Sequence, residues 1–355
     1  MSKKYGGEKQ KLAEAQAFDR SNFFSKVVFV TGCTNGIGRA AVQELMSLPA
    51  DCRPKKLVLL NRNKTLSENL AKQIREKGLE VSTYLADLSR PSAVLSAISK
   101  ILVSESVLDV ALLNAGAFNC VSITERTTQD DNFEYHYAVN YLQCVILAEG
   151  LAPLMAESAK ASGSESRVVV VGSFTAVDMS KGVLDMELLS AKDGKHKISF
   201  PNGFTYSQSK LAQHAWVKAK VVDDGGLAPG VTLNIVCPGS VETNAEVIQL
   251  LKQKMGCLYG FFAKRVMGQR KPELGCKTLL CAGGSSAFKG ISGTHLTFGT
   301  SGKFIFNAPC DGEWFPQSKW ALAPSIADAA LRARLLVENV PAGPVNDIAQ
   351  VMSHP

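Results

Sequence analysis

Short runs of apolar, largely β-branched residues recur along the chain at 27–30, 57–60, 81–85, 108–113, 167–171 and 231–236. A seventh falls at 293–298, with 303–306 as a competing candidate. Stretches with helical periodicity separate them, including 37–47, 65–77 (which runs into Gly78 as a stop) and the long apolar 137–155. A strand that is apolar at every position is buried on both faces, as in a parallel sheet covered by helices on each side. Strands alternating with helices predict an α/β fold, a doubly wound sheet of about seven parallel strands with helices on both faces.

No internal repeat or linker divides this pattern. The expected organisation is a polar N-terminal arm (1–22), one domain (23–340) and a C-terminal tail (341–355). Two stretches read as insertions, near 178–203 and 244–271. The second holds an apolar run at 255–262, readable as a lid over an apolar pocket or as a core helix. The wider 255–266 segment is also a candidate for peripheral membrane contact.

With 46% hydrophobic and 20% charged residues, 355 residues supply ample core. Thirty-nine Lys and Arg against 32 Asp and Glu give a net charge of +7, but the basic residues are scattered. That scatter argues against a nucleic-acid surface, which needs a basic stripe or patch. The nine Cys include no C-x-x-C pair and the His are dispersed, so no metal site is expected. The Cys read as small core residues of a reducing compartment. The N-terminus lacks the apolar region of a secretory signal, and no apolar run reaches the ~18–20 residues that span a bilayer. A cytoplasmic location is the expectation.

Thr31-Gly32-Cys33-Thr34-Asn35-Gly36-Ile37-Gly38 follows the first strand and opens a helix. Glycines there allow a tight turn and let backbone N–H groups approach a pyrophosphate, whose charge the helix N-terminus favours. A carboxylate after the second strand would bind the adenosine ribose 2′-hydroxyl and select NAD. This chain has Asn61 and Arg62 there. Arg62 suits a 2′-phosphate, with Arg39 assisting, or it is an ordinary surface residue. On this reading NADP(H) is favoured over NAD(H). Downstream, Tyr206 and Lys210 lie one helical turn apart. A free Tyr has a pKa of about 10, and a neighbouring ammonium favours the tyrosinate a base needs.

Taken in order, these residues resemble the short-chain dehydrogenase/reductase family from about residue 26 to 239. The turn Thr31–Gly38 resembles the family's cofactor loop. Asp87-Leu88 is similar to its adenine-contacting pair, and Asn114-Ala115-Gly116 to the motif ending the fourth strand. Pro238-Gly239, Val241 and Thr243 extend the cofactor set. The resemblance implies a Rossmann fold and a catalytic set of Ser173, Tyr206, Lys210 and Asn140. Tyr206 would be the general acid or base. Lys210 would hold the nicotinamide ribose, Ser173 would orient the substrate oxygen, with Thr175 as fallback, and Asn140 would help hold a relay water. Gln143 and Gly172 stand where the family often has Gly and Ser. The segments 178–203 and 244–271 resemble the retinol dehydrogenase and protochlorophyllide reductase-like branch. The stretches 48–56 and 297–305 resemble the sterol 3-ketoreductase branch.

The implied activity is NADP(H)-dependent interconversion of a carbonyl and an alcohol on a lipophilic, retinoid-, sterol- or prenoid-like small molecule, with a homodimer or tetramer as family expectation. The alternative is a non-catalytic NADP(H)-binding regulatory or interaction protein.

Overall fold

The protein is described from a computed structural model that covers residues 23–118, 134–173, 203–242, 271–293, 295–298 and 304–306, with isolated positions 176, 184, 253 and 256. The expected arm and tail, Thr175, Thr243 and nearly all of both insertions lie outside the described residues.

Eight strands form one sheet in the order β3-β2-β1-β4-β5-β6-β7-β8. They are β1 (Val27–Thr31), β2 (Lys56–Asn61), β3 (Glu80–Leu85), β4 (Val110–Leu113), β5 (Ser166–Val171), β6 (Val231–Cys237), β7 (His295–Phe298) and β8 (Phe304–Phe306). The first seven run parallel, as the apolar runs imply. Both candidates for the last strand are real: β8 pairs antiparallel with β7, Thr297 opposite Ile305, and adds an eighth strand to the seven expected. Every residue of β1, β4 and β5 is buried, whereas β3, at the edge, is half exposed.

Local signals set the helices. In α1 (Gly36–Ser47) the Asn35 side chain accepts from Gly36 N. In α2 (Lys64–Glu76) Asn63 caps by accepting from Leu66 N, and Gly78, at φ +75°, ends the turn. Pro opens both α3 (Pro91–Ser104) and α6 (Pro272–Gly284), where a missing N–H costs nothing. A π-helical turn, Tyr137–Leu142, leads into α4 (Gln143–Ser162), and α5 spans Gly203–Val222. One face of the sheet is packed by α3, α4 and α5 through Val94, Ile98, Leu147 and Trp216. The other is packed by α1, α2 and α6 through Leu45, Leu70, Ile74 and Leu279. Each such side chain contributes about 1.5–3 kcal/mol when taken from water.

The π turn and α4 make one helix of 26 residues, whose most apolar 18 residues have a mean hydropathy of 1.3. This corrects the expectation that no segment is long and apolar enough to cross a membrane. The helix meets both criteria because its sides are covered by protein: 83% of its most apolar window is buried here.

The strand order reverses between β1 and β4. Helices leave to opposite sides at that point, and a crevice opens beyond the carboxyl ends of the strands.

Candidate active site

The crevice at the switch point encloses about 640 Å³, within the range of small-molecule sites. Its floor is the turn between β1 and α1. Gly32 and Gly36 take φ of +64° and +54°, which other residues rarely adopt. A Cβ on Gly32 would lie 2.9 Å from Ala115 Cα, and one on Gly38 would lie 2.5 Å from the Gly32 carbonyl oxygen. The turn therefore presents bare main chain beside the N-terminus of α1, as a dinucleotide pyrophosphate requires. Thr34, Asn35 and Ile37 line the same wall. These observations fit a nicotinamide dinucleotide.

Several residues read as cofactor contacts also build the cradle. Asn114 Nδ2 donates to the carbonyls of Thr31 (3.0 Å) and Gly32 (3.2 Å), and Ala115 N donates to Thr31 Oγ1 (2.9 Å). Together they clasp the ends of β1 and β4. Asn61 faces inward: its Oδ1 accepts from Cys33 N (3.0 Å) and its Nδ2 donates to Ser67 Oγ (3.1 Å). With Asn61 tied down, Arg62 and Asn63 follow it onto the crevice wall. Asp87 Oδ1 accepts from Ser89 N (3.0 Å) and Ser89 Oγ (2.8 Å), and Asp87 and Leu88 line the far end. Arg39 does not line this crevice. Its Nη2 donates to Gln73 Oε1 (2.8 Å), and it borders a smaller cavity of about 210 Å³ with Gln43 and Glu242.

At the inner end the wall runs through Gly116, Ala117 and Phe118 to a second group of side chains. The Phe118 ring lies 4.3 Å from that of half-buried Tyr206. Lys210 Nζ sits 5.9 Å from the Tyr206 ring centre and donates to the Val171 carbonyl (2.8 Å). Tyr206 shares a side-chain hydrogen bond with Ser173, just beyond β5. A Cβ on Gly116 would lie 3.1 Å from Asn140 Oδ1 and 3.5 Å from Lys210 Nζ, crowding the first and touching the second beside the crevice.

Asn140 lies in the π-helical turn and is fully buried. Its Oδ1 accepts from Ala117 N (2.7 Å), and its Nδ2 donates to the Ala117 carbonyl (3.0 Å) and to Ser209 Oγ (3.0 Å). Its own carbonyl accepts from Gln213 Nε2 (2.5 Å) and Cys144 Sγ (3.2 Å). Asn140 thus splices the loop after β4 to α5 through protein contacts. Gln143 Nε2 donates to the Ala115 carbonyl (3.3 Å), bracing the same loop.

Burial dominates the titration of this group. It pushes the Tyr206 hydroxyl up to about 12, while the Ser173 hydrogen bond pulls it down and nearby Cys237 pushes it up. Burial also lowers the Lys210 ammonium to about 8. Desolvation of the phenolate is the largest influence on Tyr206 in the protein alone. The arrangement holds a protonated phenol, ready to donate.

Pro238 and Gly239 follow β6, with Gly239 at φ +77°. Val241 packs against α6, where a Cβ on Gly275 would meet it at 2.6 Å.

Sequence reasoning missed the residues around Tyr206. His136 Nδ1 is within hydrogen-bonding distance of Glu134 Oε1 (3.1 Å) and Thr205 Oγ1 (3.2 Å), and its ring stands edge-on to Tyr206 at 6.0 Å. Glu134 Oε2 accepts from Tyr137 N (2.8 Å). Gln213 and His214 were legible only as polar residues three and four places after Lys210 on an apolar helix, a spacing that puts them near its face. Among the described residues no cluster of ligating side chains could hold a metal.

A family model described as short chain dehydrogenase matches residues 26–184. The chain is 28% identical over 288 residues to retinol dehydrogenase 14 of Mus musculus, covering 76% of this chain and 77% of that protein. It is 30% identical over 276 residues to polyprenol dehydrogenase of Mus musculus, covering 76% and 75%. Among solved structures, L-sorbose reductase from Gluconobacter frateurii, complexed with NADPH and L-sorbose, has the same fold with a TM-score of 0.56. That match has 20% identity and covers 76% of this chain and 93% of the reductase.

Proposed function

Since the chain belongs to the short-chain dehydrogenase/reductase family, in its retinol dehydrogenase-like branch, we propose that this oxidoreductase uses NADP(H) to interconvert a carbonyl and an alcohol on a lipophilic substrate. The observation that carries this reading is the meeting of Tyr206, Lys210 and Ser173 behind Gly116 and Phe118, at the inner end of a glycine-floored crevice. Retinoid-, sterol- and prenoid-like molecules are the substrate class. Support comes from the names of the relatives, retinol and polyprenol dehydrogenases, both of which specify lipophilic alcohols.

When bound, the reduced nicotinamide supplies a hydride to the carbonyl carbon. Tyr206 gives its hydroxyl proton to the carbonyl oxygen, and the alcohol results. Ser173 donates a hydrogen bond to that oxygen and orients it. Lys210 lies between Gly116 and Val171, where its ammonium would reach the nicotinamide ribose and offset the charge left on Tyr206. Asn140 fixes the loop that carries Gly116 and Ala117. In the reverse direction Tyr206 takes the alcohol proton.

The preference for NADP(H) rests on Arg62. Asn61 is turned inward and no carboxylate replaces it, so a guanidinium is the group offered to an adenosine 2′-phosphate. Titrating the full chain with NADPH and NADH, then following NADPH oxidation over retinal, sterol ketones and small aromatic carbonyls, tests the proposal. Tighter NADPH binding with turnover of a lipophilic carbonyl is expected. NADPH binding with no turnover across that panel would overturn the catalytic reading.

A further inference from the structure

Three side chains of α5, spaced four residues apart, meet three consecutive residues at the end of β5. Tyr206 hydrogen-bonds the Ser173 side chain. Lys210 Nζ donates to the Val171 carbonyl at 2.8 Å. His214, one turn further on, covers the residue between them. A Cβ on Gly172 would lie 2.8 Å from His214 Nε2 and 2.8 Å from Ile235 Cδ1. The imidazole therefore rests on the Gly172 backbone, and it makes a polar contact with the Ser173 main chain.

His214 is fixed from behind. Its ring is buried and stands edge-on to the ring of His295, on β7, with centroids 4.7 Å apart and planes at 85°. His295 is itself buried, beside Ile235 in the β6–β7 register. Gly172 N donates to the Val236 carbonyl at 2.7 Å, so β6 pins the other side of the same peptide. Residue 172 is thus enclosed by an imidazole, an isoleucine and a strand. Little freedom remains for the backbone that carries Ser173.

A neutral imidazole suits this place. Burial, His295 and the Lys210 ammonium all drive His214 well below the ordinary histidine range. It can therefore touch a main-chain polar group without adding a second positive charge beside Lys210.

We propose that His214, seated on His295, is a positioning residue that sets the Gly172–Ser173 backbone and so the place of the Ser173 hydroxyl. This inference rests on the role given to Ser173 above. A hydroxyl that stabilises developing charge on the substrate oxygen must be held within a few tenths of an ångström, and a loosened support lowers turnover without weakening cofactor binding.

A double-mutant cycle separates this role from plain structural support. NADPH-dependent reduction of retinal, or of the best-reduced panel carbonyl, is measured for the full chain and for His214→Leu, His214→Gln, Ser173→Ala and Ser173→Ala/His214→Leu, with NADPH affinity and Tm alongside. His214→Leu should lower kcat roughly 10-fold or more, with NADPH affinity within about 2-fold. His214→Gln, which keeps an N–H donor, should recover most of the loss even if the leucine variant folds poorly. With Ser173 already alanine, His214→Leu should change kcat by less than about 2-fold, because no hydroxyl remains to be positioned. Equal loss in both backgrounds, or NADPH affinity falling in step with kcat, would overturn the proposal. Full activity in Ser173→Ala would instead remove the role of Ser173, and the positioning role with it.

Discussion

The two halves of the crevice are built from different materials. Its outer half, from Thr31 to Phe118, is mostly main chain: left-handed Gly32 and Gly36, a Gly38 pressed on the Gly32 carbonyl, and Asn and Thr side chains that tie one backbone to another. Its inner half, from Glu134 to His214, is mostly side chains, with Asn140, Ser173, Lys210, Gln213 and His214 buried around half-buried Tyr206, drawn from the π turn, α5 and the loop after β5. Backbone recognises what a whole class of dinucleotides shares. Side chains held at fixed distances suit one kind of proton transfer, the role proposed for them above. Damage to the first half should therefore show in binding, and damage to the second in turnover.

The sharpest way to break the outer half is Gly38→Val. Its Cβ would collide with the Gly32 carbonyl, and overpacking against main chain costs about 1–3 kcal/mol in stability alone. NADPH affinity should fall by about 100-fold or more, measured by fluorescence titration, with loss of folded protein read by circular dichroism. Substituting Arg62 should have a smaller and selective effect. Arg62→Glu is expected to weaken NADPH by roughly 30- to 100-fold, about 2–3 kcal/mol for a lost charge-assisted hydrogen bond, and NADH by only about 2-fold. Equal losses for both cofactors would make Arg62 a surface residue with no part in the choice.

The inner half should reveal itself through acid. Burial lowers His295 to about 4, below the ordinary value of 6.5 that the unfolded chain would show. The unfolded state therefore takes up the proton first. Stability from this group is full above about pH 6.5, declines as pH falls, and is gone near pH 4. His214 is shifted in the same direction. Replacing His295 with Gln should flatten the pH dependence of urea unfolding between about pH 6.5 and 4, by close to one proton or about 1.4 kcal/mol per pH unit. An unchanged slope would mean that the ring is already protonated when folded.

The same contrast explains what the sequence disclosed. Backbone demands leave marks at fixed positions, so Gly32, Gly36, Gly38 and Asn114-Ala115-Gly116 were readable in order along the chain. The sheet was readable because β1, β4 and β5, buried at every residue, are mostly apolar. Tyr206 and Lys210 were readable because helical spacing converts a four-residue interval into proximity. Contacts between distant segments leave no such mark. Nothing in the chain's order says that Asn61 turns inward to Cys33 and Ser67, leaving Arg62 as the residue offered, or that Arg39 meets Gln73 outside the crevice. The apolar runs at the end of the chain competed for one strand. They form two, because the edge left by β7 accepts an antiparallel partner.

The most direct measurement is single-turnover reduction by Tyr206→Phe at saturating NADPH, with the cofactor affinity of the same sample. Removing one hydroxyl from the inner half should leave the outer half intact: affinity within about 2-fold, and a rate at least about 1000-fold lower. A phenylalanine variant that reduces its carbonyl at the full rate would contradict the assignment of Tyr206 as the proton donor.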